Sequence, residues 1–356
     1  MQNQWKDKNV LILGVTGFVG SWLAETLSSE KFGSNVFGFV RRQSVPSRKN
    51  ISHIMDKMKI VPGDLNDMSS IVDTLKKNQI DIVFHLAAQS YVTRSFESPT
   101  DTYYTNVIGT ANVLEAARHY DRLEKIHFAG SSEEYGLVIK DDAHYKELLG
   151  NGVVITPPPL MDGSGNAISE LPIKETNYLR PLSPYAVSKV AGDYMCFCHH
   201  RAYGIPVVRT RAFNHEGPRR GEEFVTSVIA KQVAEGKKYG KRILTIGNPD
   251  PVRDYSDIRD IIAGYILAIE KGKNGEVYNL CSGKGWRIGD VVEMAIKTAG
   301  LKGKMSMEID RTRFRKAEVE LLIGDFSKAK KELGWEPKIG FEQTIKDQIQ
   351  YWEKHI

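Results

Sequence analysis

The chain has 356 residues, a formal net charge of +5, an apolar fraction of 41% and a charged fraction of 26%. These values are ordinary for a globular protein, and so small a charge gives no reason to expect nucleic-acid binding. No apolar run approaches the roughly 20 residues of a membrane span, and three cysteines are too few for a disulfide framework. We therefore expect a cytoplasmic protein with no membrane or nucleic-acid partner.

Short apolar segments alternate with helical patterns along the first part of the chain. We predict strands at 8–13, 35–40, 59–61, 80–86, 125–129 and 206–211, and helices at 18–28, 100–119 and 184–202. Continuous apolar strands that alternate with helices are typical of a parallel sheet covered on both faces. The predicted fold class is α/β, with a Rossmann-type doubly wound parallel sheet and a smaller mixed α/β substrate-binding lobe.

The pattern becomes mixed after Asn214, with a return strand near 275–280 and a helix toward the end of the chain. We assign 1–213, together with about 253–282, to the cofactor-binding Rossmann domain. The remaining segments, 214–252 and 283–356, are assigned to the smaller lobe.

Three glycines with the spacing G-x-x-G-x-x-G lie between the first predicted strand and the first predicted helix. Glycines there allow a tight turn, and the helix N-terminus offers free N–H groups to a pyrophosphate. The spacing resembles that of the extended short-chain dehydrogenase/reductase superfamily. The predicted cofactor contacts in this turn are Gly14, Thr16, Gly17, Phe18, Val19 and Gly20.

The end of the second strand indicates which nicotinamide cofactor binds. An NAD site usually carries an acidic residue there, whereas this strand is followed by Arg41, Arg42 and Ser44. Arginine offers a fork of donors that suits a 2′-phosphate, so we predict NADP as the cofactor. A solvated basic loop is the alternative interpretation. The resemblance implies further cofactor contacts from Asp64, Leu65, Leu86, Ala87, Ala88, Gln89 and Ser90.

Tyr185 and Lys189 stand four residues apart at the start of a predicted helix, in the segment SPYAVSK (183–189). Such positions stack on one helix face. A lysine cation and a positive nicotinamide favour the tyrosinate, so Tyr185 can exchange a proton with a sugar hydroxyl. We predict that both residues are catalytic and also contact the cofactor.

The segment AGSSEEYG (129–136) follows the fifth predicted strand. The superfamily resemblance places at Ser131 the hydroxyl that holds the reacting sugar hydroxyl. On an extended segment residues two apart point the same way, so we expect Glu133 to face the substrate beside Ser131. Ser132 is expected to point away, and Glu134 to be solvated or structural. A Ser-x-Glu pair resembles the Thr-x-Glu element of sugar-nucleotide 4,6-dehydratases, in which the glutamate removes the proton at C5.

The segment FNHEGPRRGEEFVT (213–226) resembles the FNHxSPRRGxxFVT segment of GDP-mannose 4,6-dehydratases, and further matches extend over nearly the whole chain. The resemblance implies cofactor contacts from His215 and Arg220, a diphosphate site at Arg253 and Arg315, and a ribose contact from Glu318. Asn214 and Val225 are assigned to the same GDP-sugar site, and no metal site is expected. The implied function is NADP-dependent dehydration of a GDP-hexose, most simply GDP-mannose.

Several residues depart from this family pattern. Lys316 stands in place of a proline, Gly217 in place of a serine, and Ser227 and Val228 in place of basic residues. The alternatives are therefore a GDP-4-keto-6-deoxysugar reductase or an epimerase of the same fold, or a non-catalytic nucleotide sensor.

The largest departure is an insertion at about 137–171, for which we expect a hairpin with a turn at DGSGN (162–166). We expect the insertion to emerge near the active site. It is either a lid or oligomer contact, or a neutral surface insertion. By resemblance the protein is a homodimer or homotetramer, with a dimer contact through 100–119 and 184–202 and a further tetramer contact from the 41–49 loop.

Overall fold

The computed structural model describes residues 4–41, 48–314 and 318–356. Within these ranges the strands are β1 (Asn9–Leu13), β2 (Asn35–Arg41), β3 (Met58–Gly63), β4 (Ile82–His85), β5 (Lys125–Ser131), β6 (Val207–Ala212), β7 (Asn214–Glu216), β8 (Ile243–Ile246), β9 (Val252–Asp257), β10 (Val277–Leu280), β11 (Gly285–Arg287), β12 (Ser306–Ile309) and β13 (Leu321–Leu322). The helices are α1 (Phe18–Leu27), α2 (Met68–Lys77), α3 (Val92–Glu97), α4 (Pro99–Tyr103), α5 (Gly109–Arg118), α6 (Asp142–Gly150), α7 (Pro184–Tyr203), α8 (Val225–Tyr239), α9 (Ile258–Lys271), α10 (Ile288–Thr298), α11 (Ser327–Leu333) and α12 (Phe341–His355). Short 3-10 helices span Ser52–Lys57, Ser132–Glu134 and Arg311–Arg313.

In the described part of the chain, seven strands form a sheet in the order β10-β6-β5-β4-β1-β2-β3, and every pairing in it is parallel. Successive residues of β1 face opposite sides, so Val10 and Ile12 pack with α1 and α9, whereas Leu11 and Leu13 pack with α2, α5 and α7. Both faces of the sheet are therefore covered. The prediction of a doubly wound parallel sheet is confirmed.

The smaller unit is built around strand β9. It pairs with β7, β11 and β13, and a separate parallel pair joins β8 to β12. Helices α8, α10 and α12 pack together beside these strands around a core that includes Ile229, Val291 and Ile345. The assignment of 253–282 to the Rossmann domain needs a correction, because β9 pairs within this unit. The return to the large sheet begins with α9, which covers that sheet, and ends with β10, its edge strand.

The helix predicted at 100–119 is interrupted in its middle. A π-helical turn, Tyr104–Ile108, joins α4 to α5. The Asn106 amide accepts a hydrogen bond from Gln89 N at 2.8 Å and donates one to Gln89 O at 3.0 Å. Turns of this kind are frequent at functional sites, and here it ties the helix to the segment that follows β4.

The insertion forms a small subdomain of its own. Helix α6 was not predicted; its N-cap is Asp141, which accepts from His144 N at 2.8 Å. The DGSGN turn is present, but only one antiparallel bridge, Met161 to Ala167, flanks it, so the expected hairpin is minimal. Ile139, Ile155 and Ala167 form its core. Among the described residues, no helix combines the length and apolar character needed to cross a bilayer.

Candidate active site

A cleft of 1330 Å³ lies along the carboxyl ends of the large sheet, and residues of the smaller unit also line it. Ligands of open α/β sheets bind at this edge. It is lined by every described residue of the predicted site: Gly14, Thr16, Gly17, Phe18, Val19, Gly20, Arg41, Asp64, Leu65, Leu86, Ala87, Ala88, Gln89, Ser90, Ser131, Glu133, Tyr185, Lys189, Asn214, His215, Arg220, Val225, Arg253 and Glu318. Arg42, Ser44 and Arg315 lie outside the described residues.

The glycine turn brings the N-terminus of α1 into the cleft. Gly17 is the N-cap without a capping side chain, and the first turn of the helix carries no acidic residue. The backbones at Gly14 and Gly20 approach each other closely, because a Cβ on Gly20 would lie 2.2 Å from the Gly14 carbonyl oxygen. The N–H groups of the first turn and the positive end of the helix dipole therefore point into the cleft, where they can bind an anion. This end of the cleft fits the pyrophosphate of a dinucleotide.

Ser131 ends β5, and the chain then turns into the 3-10 helix of residues 132–134. The expectation of an extended segment at Glu133 is therefore wrong. The cause is a capping box, in which Ser131 Oγ accepts from Glu133 N at 3.2 Å and Glu134 Oε1 accepts from Ser131 N at 2.7 Å. Glu133 nevertheless lines the cleft with Ser131; Ser132 lines it as well, whereas Glu134 is fully buried.

Tyr185 and Lys189 lie in the first turns of α7, where Ser183 Oγ caps the helix by accepting from Ala186 N at 3.1 Å. Burial raises the pKa of Tyr185 to about 12, against the lowering effect of a hydrogen bond with the Ser131 side chain. Lys189 Nζ donates to Ala129 O at 2.7 Å, and burial lowers the pKa of Lys189 to about 8. Tyr185 is therefore a protonated phenol unless positive charge is brought close to it.

His215 and Arg220 lie beside the glycine turn. The His215 ring stacks on Phe18 with centroids 6.2 Å apart, and burial, aided by the Arg220 charge, lowers the pKa of His215 to about 4. The Arg220 guanidinium lies 3.5 Å from the centroid of the Phe224 ring and 5.1 Å from that of Phe18. Aromatic faces thus hold a permanent cation beside the neutral imidazole.

Arg253 and Glu318 meet on the wall formed by the smaller unit. Arg253 Nη2 donates to Glu318 Oε1 at 2.9 Å, and the Arg253 side chain is buried. The two come from segments 65 residues apart, so only the fold brings them together. A buried guanidinium at a cleft wall is suited to hold a phosphate oxygen.

Some cleft residues were not assigned a role from the sequence. They are Tyr91, Arg94, Arg219, Asn248, Arg313 and Phe314. A signal existed for Arg219, which precedes Arg220 in the PRRG segment, and for Arg313, which lies in the basic run RTRFR (311–315). The Arg219 side chain pairs with Glu25 Oε2 at 2.5 Å and covers the Trp22 ring.

Ser227 and Val228 occupy the positions where the resemblance led us to expect basic residues. Ser227 Oγ donates to Arg220 O at 2.8 Å and is buried, whereas Val228 lines the cleft. The first turn of α8 thus presents an apolar side chain to the cleft at this point. Within the described ranges, no three His, Cys, Asp or Glu side chains are grouped as metal ligands.

The chain is similar to known proteins over nearly its whole length. Residues 10–281 match the model of the NAD dependent epimerase/dehydratase family. GDP-mannose 4,6 dehydratase 1 of Arabidopsis thaliana is 34% identical over 351 residues, covering 95% of this chain and 88% of the relative. GDP-mannose 4,6-dehydratase of Vibrio cholerae serotype O1 is 31% identical over 378 residues, covering 96% and 92%. The solved structure of RMD from Pseudomonas aeruginosa complexed with NADPH superposes with a TM-score of 0.75 at 27% identity, covering 98% and 99% of the two chains.

Proposed function

The chain belongs to the NAD-dependent epimerase/dehydratase family, and we propose that within this family it dehydrates GDP-mannose to GDP-4-keto-6-deoxymannose. Relatives that carry the name of this activity, from a plant and a bacterium, match nearly the full length of the chain. The observation that carries the proposal is the shared position of Ser131, Glu133 and Tyr185 in one cleft. A 4,6-dehydration needs a base at C5 besides the groups that act at C4, and Glu133 is such a base.

In this proposal each polar group acts on one atom of the sugar. Ser131 holds the C4 hydroxyl by a hydrogen bond, and Tyr185 takes its proton. A nicotinamide cofactor, whose pyrophosphate fits the uncapped N-terminus of α1, supplies the temporary oxidation at C4. The ketone acidifies the C5 proton, Glu133 would remove that proton and pass it to the C6 hydroxyl, and this hydroxyl would leave as water. Return of the hydride from C4 to C6 and of a proton to C5 would complete the 4-keto-6-deoxy product with no net oxidation.

Lys189 tunes Tyr185 in the same proposal. The pKa of Tyr185 is raised to about 12 by burial, which is too high for a base near neutral pH. The Lys189 cation, on the same face of α7, would favour the tyrosinate and lower that pKa.

We favour NADP over NAD as the cofactor. Arg41 lines the cleft at the end of β2, and the sequence has no carboxylate in the next three positions to bind ribose hydroxyls. A guanidinium there suits a 2′-phosphate. Arg42 and Ser44 belong to the same proposed site.

The GDP moiety is assigned to the wall formed by the smaller unit. We propose Arg253 and Arg313, together with Arg315 from outside the described residues, as partners of the diphosphate, Glu318 as the ribose contact, and Asn214 and Val225 as further contacts of the GDP-sugar. Cations that converge from separate segments neutralise a diphosphate better than one surface arginine does. The Arg253–Glu318 pair keeps both side chains in place before the substrate arrives.

We propose a homodimer in the cytoplasm. Helix α4 and the π-helical turn both pack against α7, and these three elements expose large apolar side chains, namely Tyr103, Tyr104, Ile108, Val187, Tyr194, Phe197 and Tyr203. Exposed large apolar side chains grouped on neighbouring elements are typical of an interface between subunits. All three cysteines are free thiols, which suits a reducing compartment.

Incubation with GDP-mannose and NADP but no reductant tests the proposal. We expect the 4-keto-6-deoxy product to form without net accumulation of NADPH. Turnover only when GDP-4-keto-6-deoxymannose and NADPH are supplied would contradict it and identify a reductase. No turnover with either substrate would also contradict it.

A further inference from the structure

One buried carboxylate lies directly behind the proposed catalytic turn and takes no part in the chemistry given above. Glu134 has no exposed surface; its Oε1 accepts from Ser131 N at 2.7 Å and its Oε2 accepts from Arg211 Nε at 3.1 Å. Burying a carboxylate is costly unless it is paired and hydrogen-bonded, and here both oxygens have N–H donors. Glu134 therefore links the backbone of the catalytic turn to a guanidinium inside the protein.

The backbone of β5 makes room for this carboxylate. A Cβ on Gly130 would lie 2.6 Å from Glu134 Oε1 and 2.6 Å from Thr210 O, so only glycine fits between them. The other half of the capping box, Ser131 Oγ with Glu133 N, is made by the proposed catalytic residues themselves. The position of Glu134 and the geometry of the catalytic turn are thus determined together.

The guanidinium that holds Glu134 is itself fixed. Arg211 donates from Nε and Nη2 to Asp193 at 3.2 Å each, and from Nη1 to Tyr135 Oη at 3.2 Å. Asp193 is also ion-paired with Arg209. Strand β6 supplies both arginines, α7 supplies Asp193 and the 3-10 turn supplies Glu134. The network therefore ties three elements together behind Ser131.

Lys189 is the buried cation near this network. Burial lowers the pKa of Lys189 to about 8, and the negative charge of Glu134 is the largest influence in the opposite direction. Burial lowers the pKa of His85 and of His127 to about 3, so both histidines are neutral beside Lys189. Other titratable groups around Glu134 and Lys189 are Tyr135, Tyr185, Asp193 and Cys196, and Glu175 acts on Tyr135 from the far side of Arg211. Burial, with Asp193 adding to it, raises the pKa of Glu134, whereas the Ser131 N–H and the Arg211 guanidinium donate to its two oxygens and stabilise the ionised carboxylate.

We propose that Glu134 is a positioning residue for the dehydration: its carboxylate holds the Ser131–Glu133 turn in register with Tyr185. The same carboxylate lies against Gly130, and Lys189 Nζ donates to the carbonyl of the preceding residue, Ala129, so the negative charge of Glu134 stands close to the Lys189 ammonium. The roles of Ser131, Glu133 and Lys189 in this inference rest on the function proposed above. Glu134 itself does not touch the substrate, because it is buried behind the cleft wall.

The substitution Glu134→Gln tests this role, since glutamine keeps the size and one acceptor but loses the charge. We expect kcat to fall at least about tenfold, with KM for GDP-mannose and Kd for NADP within about twofold of wild type. Lys189 loses its nearby negative charge, so the alkaline limb of the kcat profile should move to lower pH by about one unit. A purely structural role would leave that limb in place.

Asp260→Asn is the matched control. Asp260 is a buried carboxylate that accepts from Lys338 N and Ile339 N, at 2.9 and 2.8 Å, and is not part of the cleft lining. This variant should lose stability and keep the wild-type pH profile. The inference is overturned if Glu134→Gln shows wild-type kcat and pH profile, or loses activity only in proportion to its loss of folded protein.

A second measurement separates this inference from the proposed function. The pKa of Lys189 can be followed by NMR in protein labelled with ¹³C at lysine Cε, with the resonance assigned by Lys189→Met. A lower Lys189 pKa in Glu134→Gln supports the electrostatic role even if GDP-mannose is not the substrate. An unchanged pKa overturns that role whatever the substrate is.

Discussion

Glu133 and Glu134 are neighbours in sequence, yet their surroundings have little in common. Glu133 is partly buried and lines the cleft, whereas Glu134 is fully buried and paired with Arg211. The tight 3-10 turn separates them, because successive residues of such a helix point about 120° apart. One side chain is thereby available to a substrate, and the other fixes the backbone that presents it.

Glu133→Gln should remove the base at C5 while leaving the cleft intact. We expect dehydration of GDP-mannose to fall by about 10²-fold or more, the usual contribution of a positioned general base. The Kd for NADP, measured by fluorescence quenching, should stay near the wild-type value. Glu223→Gln is the control, since Glu223 is a carboxylate elsewhere on the cleft wall. Near-normal turnover by Glu133→Gln would contradict the role of this residue.

At the scale of single elements, helix N-caps determine the orientation of the proposed catalytic residues. The start of α7 was predictable because Ser183 and Pro184 are a strong helix-start signal, and the structure begins the helix at Pro184. The turn after β5 was not predicted, although Ser131-x-x-Glu134 is the sequence signature of a capping box. Assuming extended backbone there gave a wrong geometry for Glu133, and only the structure shows that it still lines the cleft.

The insertion at 137–171 is tied to the segment that follows it by a buried ion pair, which offers a test of its role. The Arg180 guanidinium forms a two-pronged ion pair with Glu170 at 2.7 Å for each contact, and its side chain is only 4% exposed. We expected the insertion to emerge near the active site, but no residue of 137–171 is part of the cleft lining. These observations favour a structural role.

Glu170→Ala should therefore destabilise the protein by about 3 kcal/mol, because it leaves a buried guanidinium without its carboxylate. Lys146→Ala is the control: Lys146 pairs with Asp142 at 2.5 Å in an exposed position, and its loss should cost less than about 1 kcal/mol. Urea denaturation measures both. Equal effects of the two variants, or a large change in KM for GDP-mannose with Glu170→Ala, would argue against a structural brace.

At the scale of the whole molecule, the parallel sheet was predictable because its strands are short, apolar and separated by helices. The smaller unit was harder to predict from the sequence. Strands such as Asn214–Glu216 and Leu321–Leu322 are too short to show a period, and β9 pairs with partners distant in sequence. The same distance explains why the pairing of Arg253 with Glu318 had to be observed rather than predicted.

The exposed apolar side chains of α4, the π-helical turn and α7 should form the dimer interface. Tyr194 on α7 is 57% exposed, so Tyr194→Asp introduces a charge that burial against a second copy would penalise. Sedimentation velocity at micromolar concentration should show a dimer for wild type and a monomer for this variant. Tyr239→Asp, at a tyrosine that ends α8 and is 64% exposed, should remain dimeric. A monomeric wild type or a dimeric Tyr194→Asp would contradict the proposed interface.

The fate of the hydrogen at C4 tests the central claim most directly. In a 4,6-dehydration the hydrogen removed from C4 returns to C6 of the same sugar, while C5 takes a proton from solvent through Glu133. With GDP-[4-²H]mannose as substrate and no added reductant, we predict a 4-keto-6-deoxy product that carries deuterium at C6, detected by NMR. A product without deuterium at C6, or deuterium retained at C4, would contradict the account.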